Sequence, residues 1–237
     1  MKHRRKISLS SVLLTMIFLL GYSPKARPED TPKDLKAIKN ALSNVQEFIG
    51  SWKGSGETKE GKSIDWKEGM SWGWKFKGNS AWMNVEFKDG KYLLQGDLKY
   101  IPSKKKYQLI VLDKEKKEMI FEGEFKKRRL TLTRIDSNTK DKQIITMSTN
   151  NEGARLIYDY AVQSKGKGLE QTLYRISYNK EGVSLASNKK NECIVTGGLG
   201  TIAVSFGGKT YYVCCSGCRD AFNENPKKYI DEYLKKK

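Results

Sequence analysis

The sequence predicts a mainly β protein: an antiparallel barrel of about ten strands, with one helix before it and a small C-terminal module after it. Residues 51–185 alternate apolar and polar side chains over short segments, which is typical of strands. Turn-forming residues separate these segments at regular spacing. Many short antiparallel strands favour an up-and-down barrel. All four cysteines lie beyond this region.

The N-terminus, residues 1–26, has the pattern of a signal peptide. A basic start precedes an apolar run over residues 11–20, which is too short for an ordinary transmembrane span. We expect an exported protein of the periplasm or cell envelope. The segment is either cleaved near Ala26 or kept as an N-terminal membrane anchor.

A helix is predicted to start the barrel domain, which we place at residues 32–182. Thr31 fits an N-cap, with Pro32 in the first turn. Apolar residues then recur at helical spacing from Leu35 to Phe48, and the helix is expected to end at Gly50 as a plug or lid of the barrel. The predicted strands span 51–57, 63–76, 80–88, 91–101, 105–113, 117–127, 128–137, 142–150, 154–164 and 170–179.

Residues 49–57, which include the first predicted strand, carry Gly-x-Trp-x-Gly-x-Gly. It resembles the opening strand of lipocalin-like barrels, and is closer to bacterial barrels related to the nitrobindins. Those barrels bind haem through a histidine. The only histidine of this chain is His3, in the signal segment, so no haem is expected. The same absence argues against histidine-based catalysis.

Four tryptophans cluster in two consecutive predicted strands: Trp66, Trp72, Trp74 and Trp82. They predict either an aromatic-lined cavity for a small apolar ligand or a packed barrel core, and small barrels usually pack solid.

The formal charge of +18 suits peripheral contact with an anionic membrane, although dispersed lysines also serve simply as a solvated strand surface. The lysines form no concentrated basic stripe, which argues against nucleic-acid binding.

A polar linker is predicted over residues 183–191, followed by a compact module over residues 192–237. Two strands, 201–206 and 209–213, are joined by a glycine turn, and a helix opens after Cys215. Asn225 is placed to cap a second helix that has Pro226 at its first position.

The cysteines of this module are Cys193, Cys214, Cys215 and Cys218. Two close thiolates and a remote one, joined by a hairpin, are typical of small metal modules, and thiolates select soft ions. Amides at the helix start, together with Lys209 and Arg219, are expected to favour thiolate. Two alternatives remain open: two structural disulfides, and a redox pair formed by Cys215 and Cys218.

Residues 192–230 resemble the YHS/TRASH family of small metal-binding modules. Cys193, Cys214 and Cys218 match the family's first cysteine and its Cys-x-x-x-Cys, and 208–212 match its Gly-Lys-x-Tyr strand. The resemblance implies a treble-clef-like ββα unit and a role in heavy-metal sensing or trafficking. Ile194 replaces the usual proline and the name-giving histidine is missing, which leaves the fourth ligand open.

The sequence therefore predicts an exported, non-enzymatic protein that captures or traffics zinc or copper(I). Cys193, Cys214 and Cys218 are the expected ligands, and Cys215 is auxiliary. A metal-transport or envelope protein is the expected partner. The alternatives are a thiol–disulfide redox protein and a barrel-based carrier of a small apolar ligand.

Overall fold

The computed structural model describes residues 31–58, 66–150, 153–165, 168–182 and 191–235. The predicted signal segment lies outside these ranges, and so does the predicted linker except for Asn191. Within the described ranges, no helix combines the length and the apolar character needed to cross a membrane.

Helix α1 (Pro32–Ser43) begins where the sequence predicts. The Thr31 hydroxyl accepts the backbone N–H of Asp34 at 3.2 Å, and the Asp34 carboxylate accepts the backbone N–H of Thr31 at 3.1 Å. This reciprocal capping box satisfies amide groups that a free helix start leaves unpaired.

The predicted end of this helix at Gly50 is wrong. The α-helix stops at Ser43, and the chain continues through a short 3₁₀ turn (Gln46–Phe48). The Ser43 hydroxyl donates to the carbonyl of Asn40 at 2.7 Å, and this kind of local bonding by short polar side chains disfavours helix interiors. Phe48 is still buried with the helical residues of the same apolar face.

Ten antiparallel strands follow and close into a barrel, as predicted. Each strand pairs with its neighbours in sequence, and the first strand pairs with the tenth. The strands are β1 (Gly50–Thr58), β2 (Trp66–Lys77), β3 (Ser80–Lys88), β4 (Leu93–Ile101), β5 (Lys106–Asp113), β6 (Glu118–Lys126), β7 (Arg129–Ile135), β8 (Lys142–Asn150), β9 (Arg155–Gln163) and β10 (Glu170–Lys180).

Helix α1 packs at the end of the barrel where β1 begins, which we call the helix end; the opposite end is the far end. The helix contacts β3 and β4, and the Tyr107 hydroxyl donates to the carbonyl of Ala41 at 2.5 Å. The helix thus lies at an end of the barrel, where the sequence analysis places a plug or lid.

The barrel interior near the helix end is a packed core. Met70, Trp72 and Trp74 are all buried on one face of β2, and the Trp72 indole N–H lies 3.2 Å from the Met70 sulfur. The core interpretation of these two tryptophans is therefore the one that the structure supports.

The two later glycines of the first-strand motif make room for aromatic rings. A Cβ atom on Gly54 would lie 2.3 Å from the ring of Tyr178, and one on Gly56 would lie 2.0 Å from the ring of Trp66. Both rings rest directly on the β1 backbone, which explains why this strand needs residues without a side chain.

The C-terminal region, residues 191–235, is called the cysteine module below. Its elements are β11 (Ile202–Phe206), β12 (Lys209–Val213), α2 (Ser216–Glu224) and α3 (Pro226–Leu234). The two strands form a separate antiparallel hairpin. The Asn225 side chain accepts the backbone N–H of Lys228 at 3.2 Å, which is the cap that the sequence predicts.

The cysteine module docks on a part of β2 that extends past β1. Pairing between β1 and β2 stops at Gly50 and Trp72, whereas residues 73–77 pair only with β3 among the described residues. We call residues 73–77 the β2 overhang. Helix α2 packs on it so closely that a Cβ atom on Gly217 would lie 1.6 Å from the Trp74 carbonyl oxygen.

Candidate metal centre

The first two cysteines are brought together by the edge of β12. Cys193 forms a parallel bridge with Tyr212, and the backbone N–H of Ile194 donates to the Tyr212 carbonyl at 2.9 Å. A tight turn holds the segment, since the N–H of Gly197 donates to the Cys193 carbonyl at 2.7 Å. Cys214 directly follows β12, so the remote cysteine of the sequence is placed beside it.

The third cysteine comes from the first turn of α2. Cys218 is fully buried, and its sulfur lies 3.5 Å from that of Cys214. The sulfur atoms of Cys193, Cys214 and Cys218 all lie within 4.8 Å of one another. With zinc–sulfur bonds of about 2.3 Å, two ligands of a tetrahedral ion lie about 3.8 Å apart. The three thiols therefore form a group that could hold a metal ion.

Cys215 lies beside this group but faces the barrel. Its sulfur is 4.0 Å from that of Cys214 and accepts the backbone N–H of Trp74 at 3.3 Å. Cys215 has an extended backbone at the N-cap of α2, and its sulfur reaches the β2 overhang. The fourth thiol thus connects the group of three cysteines to the barrel.

None of the four cysteines forms a disulfide, and their sulfur atoms make hydrogen bonds with one another. The pKa of Cys193 is lowered, first by a hydrogen bond from Cys214 and then by one from Cys218. The pKa of Cys215 is lowered by the same two donors, and the Trp74 amide adds to this effect. The donors, Cys214 and Cys218, have raised pKa values. The arrangement favours thiolate, the form that binds metals, at two of the four positions.

Lys180 is a basic residue near this cluster that the sequence did not indicate. It ends β10, its ammonium donates to the Glu47 carbonyl at 3.0 Å, and it lies 4.9 Å above the ring of Trp52. Burial lowers the pKa of Lys180 to about 8, while Cys214 favours its protonated form. Its charge would offset part of the negative charge of a thiolate cluster.

The two basic residues expected to perform this role are elsewhere. Lys209 pairs with Phe206 at the turn of the hairpin, at the opposite end of β12 from Cys214. Arg219 is exposed and its guanidinium lies 3.3 Å from Asp220. Neither is among the main influences on the pKa of any cysteine. Lys209 lies about 16 Å along the strand from Cys214.

A cleft of about 660 Å³ separates part of the cysteine module from the barrel. Cys214, Cys215 and Lys180 line it together with Trp72 and Glu86 of the barrel. Two of the four cysteines thus lie on the wall of an opening between the module and the barrel.

Comparisons with known proteins assign no family to this chain. No family model matches the chain, and no curated protein matches it. Among solved structures, the chain is similar to Rv2717c from M. tuberculosis, with 14% sequence identity and a TM-score of 0.39; the alignment covers 60% of this chain and 97% of that one. Membership of the YHS/TRASH family is not confirmed and stays a prediction.

Proposed function

We propose that this protein binds a soft metal cation, zinc or copper(I), through Cys193, Cys214 and Cys218. The observation that supports this is the convergence of three buried thiols from separate segments within 4.8 Å. Thiolates are the ligands that these ions prefer. Two of the three residues lie only four positions apart, whereas the third is held by backbone bonds to β12.

The bound ion is the cargo of the protein in this proposal. A site with three thiolates leaves one position of a tetrahedral ion open, and an open position is where an incoming ligand can enter. Cys215 stands next to that group, lines the cleft and is held by the Trp74 amide. Its proposed role is auxiliary: it offers a fourth sulfur as the ion enters or leaves.

The N-terminal sequence supports the proposed compartment. A basic start followed by a short apolar run is typical of exported proteins, so capture would take place in the periplasm or cell envelope. The proposed partner is a metal-transport or envelope protein, and the positive charge would favour peripheral contact with an anionic membrane.

The proposal is tested by measuring metal content and free thiols on protein purified without chelator. We expect close to one zinc or copper ion per chain, and slow reaction of the thiols until the metal is removed. Apo protein in which the thiols are oxidised in pairs would instead establish structural disulfides, the alternative left open by the sequence.

A cysteine series then identifies the ligands. Cys193→Ser and Cys218→Ser should abolish binding, because each removes one of three converging sulfurs. Cys215→Ser should weaken binding less, since its sulfur faces the Trp74 amide. Affinities measured by competition with a chromophoric chelator distinguish the variants, and equal affinity in all three would reject the assignment.

The redox alternative is less well supported by the geometry. A thiol–disulfide exchange enzyme needs a thiolate that the disulfide of another protein can reach, which is a bulkier approach than that of an ion, and Cys215 is 8% exposed and bonded to the barrel. Insulin reduction that is lost in Cys215→Ser would favour this alternative over metal binding.

A further inference from the structure

The far end of the barrel contains a second cavity, of about 620 Å³, which is not part of the cysteine centre. Its interior is lined by the apolar side chains of Met119, Phe121 and Ile145 and by the aromatic rings of Tyr158, Tyr160 and Tyr174. Ligand cavities of proteins fall in this size range and are mainly apolar with a few placed polar groups. Charged residues, among them Lys91 and Glu115, lie in the loops at its rim.

One wall of this cavity is built from stacked tyrosine rings. Tyr174 lies at the centre, with the ring of Tyr92 at 4.2 Å, that of Tyr160 at 5.0 Å and that of Tyr158 at 6.0 Å between centroids. The angles between these ring planes are 14–16°. A wall of nearly parallel rings favours a flat ligand that can stack or make edge contacts with it.

The hydroxyl of Tyr158 is the polar group that stands out in this wall. Tyr158 is 2% exposed, and its hydroxyl makes no direct hydrogen bond of normal geometry among the described residues. The Tyr174 hydroxyl lies on its acceptor side and lowers its pKa, so it is the Tyr158 proton that lacks a partner. Leaving a buried hydroxyl unpaired costs about 1–3 kcal/mol, so buried hydroxyls normally have partners. Burial outweighs the effect of Tyr174 and raises the pKa of Tyr158, which keeps the group protonated and able to donate.

Glu68, a buried carboxylate in the barrel, has several hydrogen-bond donors. The buried carboxylate of Glu68 accepts the indole N–H of Trp66 at 2.7 Å, the backbone N–H of Lys91 at 3.2 Å and the hydroxyl of Tyr178. Because three donors already bind the Glu68 carboxylate, it is not available to pair with a cationic ligand. The interior of the cavity thus presents apolar surface, aromatic faces with their hydroxyls and, at Tyr158, a buried neutral donor that lacks an acceptor.

We propose that this cavity binds an uncharged, planar aromatic molecule that carries one oxygen, which accepts a hydrogen bond from the Tyr158 hydroxyl. Phenols and aromatic carbonyl compounds have this chemistry. The aromatic part replaces empty space beside the tyrosine wall, and the oxygen supplies the partner that Tyr158 lacks. The site belongs to the barrel and does not depend on the metal proposed for the cysteines.

A matched pair of probes tests the two parts of this proposal. 2-Naphthol and naphthalene share the same fused rings and differ by the oxygen. We expect both probes to bind in a saturable way. Binding is measured from the amide chemical shifts of the full chain, and the largest changes should occur at residues of β9 and β10. The oxygen should make 2-naphthol bind roughly three- to tenfold more tightly, the value of one ordinary hydrogen bond.

The variant Tyr158→Phe removes the hydroxyl and keeps the ring. In this variant the two probes should bind with about equal affinity, while naphthalene binds as in the wild type. Tyr107→Phe is the control, because it removes another barrel hydroxyl at the helix end, and it should leave the probe ratio unchanged. Ile145→Trp places a large side chain in the cavity and should abolish binding of both probes.

Three outcomes would overturn the proposal. The absence of saturable binding of either probe up to its solubility would show that the cavity is not a site for this class of ligand. An unchanged probe ratio in Tyr158→Phe would show that the hydroxyl is not the recognition group. Full binding in a folded Ile145→Trp protein would place the probes elsewhere.

Discussion

The barrel and the cysteine module lie against each other but are held together by different forces. The barrel closes ten strands into one sheet around a core that includes Trp52, Trp74 and Tyr178, each less than 2% exposed. The module has two strands of five residues and two helices of nine residues. A two-stranded hairpin is at best marginally stable alone, and so small a core needs a staple or a support.

The support of the module comes from two sources. One is the group of sulfur atoms, which a metal ion would join into a cross-link between three segments. The other is the β2 overhang, whose Trp74 amide and carbonyl meet Cys215 and Gly217. The module should therefore depend on the barrel, whereas the barrel should not depend on the module.

The largest expected effect comes from a cavity in the barrel core. Leu98→Ala removes a fully buried side chain and should cost about 2–5 kcal/mol of unfolding free energy. Because the module rests on β2, its amides should lose protection from hydrogen exchange together with those of the barrel. Leu98→Met, which conserves volume, is the control and should cost less than about 1.5 kcal/mol. A module that keeps its protection while the barrel loses it would contradict the dependence.

A smaller effect is expected from a substitution in the cysteine module that disturbs its contact with the barrel. Gly217→Ala places a methyl group where the Trp74 carbonyl stands, so α2 must move away from β2, at a cost of about 1–3 kcal/mol. Hydrogen exchange should speed up in residues 191–235 and at the Trp74 amide, while the thermal transition of the barrel stays in place. Gly168→Ala is the control, since no atom lies within 4 Å of the added carbon. A matching loss of barrel stability in Gly217→Ala would show that the two regions support each other equally.

The smallest effect is expected from replacing Lys180, a barrel residue whose charge lies near the cysteine module. Lys180→Met should weaken metal binding roughly three- to tenfold at pH 7, because it removes a cation beside the thiolates. Lys209→Met, which changes a lysine at the distant hairpin turn, should have no effect.

The pH dependence of this difference has a defined sign. Lys180 loses its proton near pH 8 in the folded protein, against an ordinary value of 10.5. The advantage of the wild type over Lys180→Met in metal affinity should therefore shrink above pH 8. Between pH 8 and 10 the unfolded chain binds the proton that the folded chain has lost, so wild-type stability should rise relative to Lys180→Met. Chelator competition and urea unfolding at pH 7, 8.5 and 10 measure both trends. An affinity advantage that grows with pH, or a wild-type stability that falls relative to Lys180→Met, would contradict them.

Much of the fold and the cysteine grouping could be predicted because the signals are local. Period-two alternation and turn residues predicted the ten strands, and a hairpin between Cys193 and Cys214 predicted their approach. The end of α1 was missed because the apolar spacing continues past Ser43, whereas local hydrogen bonding stops the helix there.

The remaining features depend on residues that are distant in sequence. Lys180 reaches the cysteines only because β10 closes the barrel beside β1, and no local pattern marks it. Tyr92 and Tyr174 meet at the far end for the same reason, although they are more than eighty positions apart. The contact of Cys215 with Trp74 arises from docking between two regions, which neither sequence segment encodes alone.

The overhang of β2 also has a consequence for the behaviour of the protein in solution. Because residues 73–77 extend past β1, one side of this segment would present unpaired amide and carbonyl groups if the cysteine module were absent. An exposed strand edge pairs readily with other chains and leads to aggregation. The module covers this edge with the Cys215 sulfur and the start of α2, and so prevents such pairing. A barrel truncated after residue 182 should therefore self-associate.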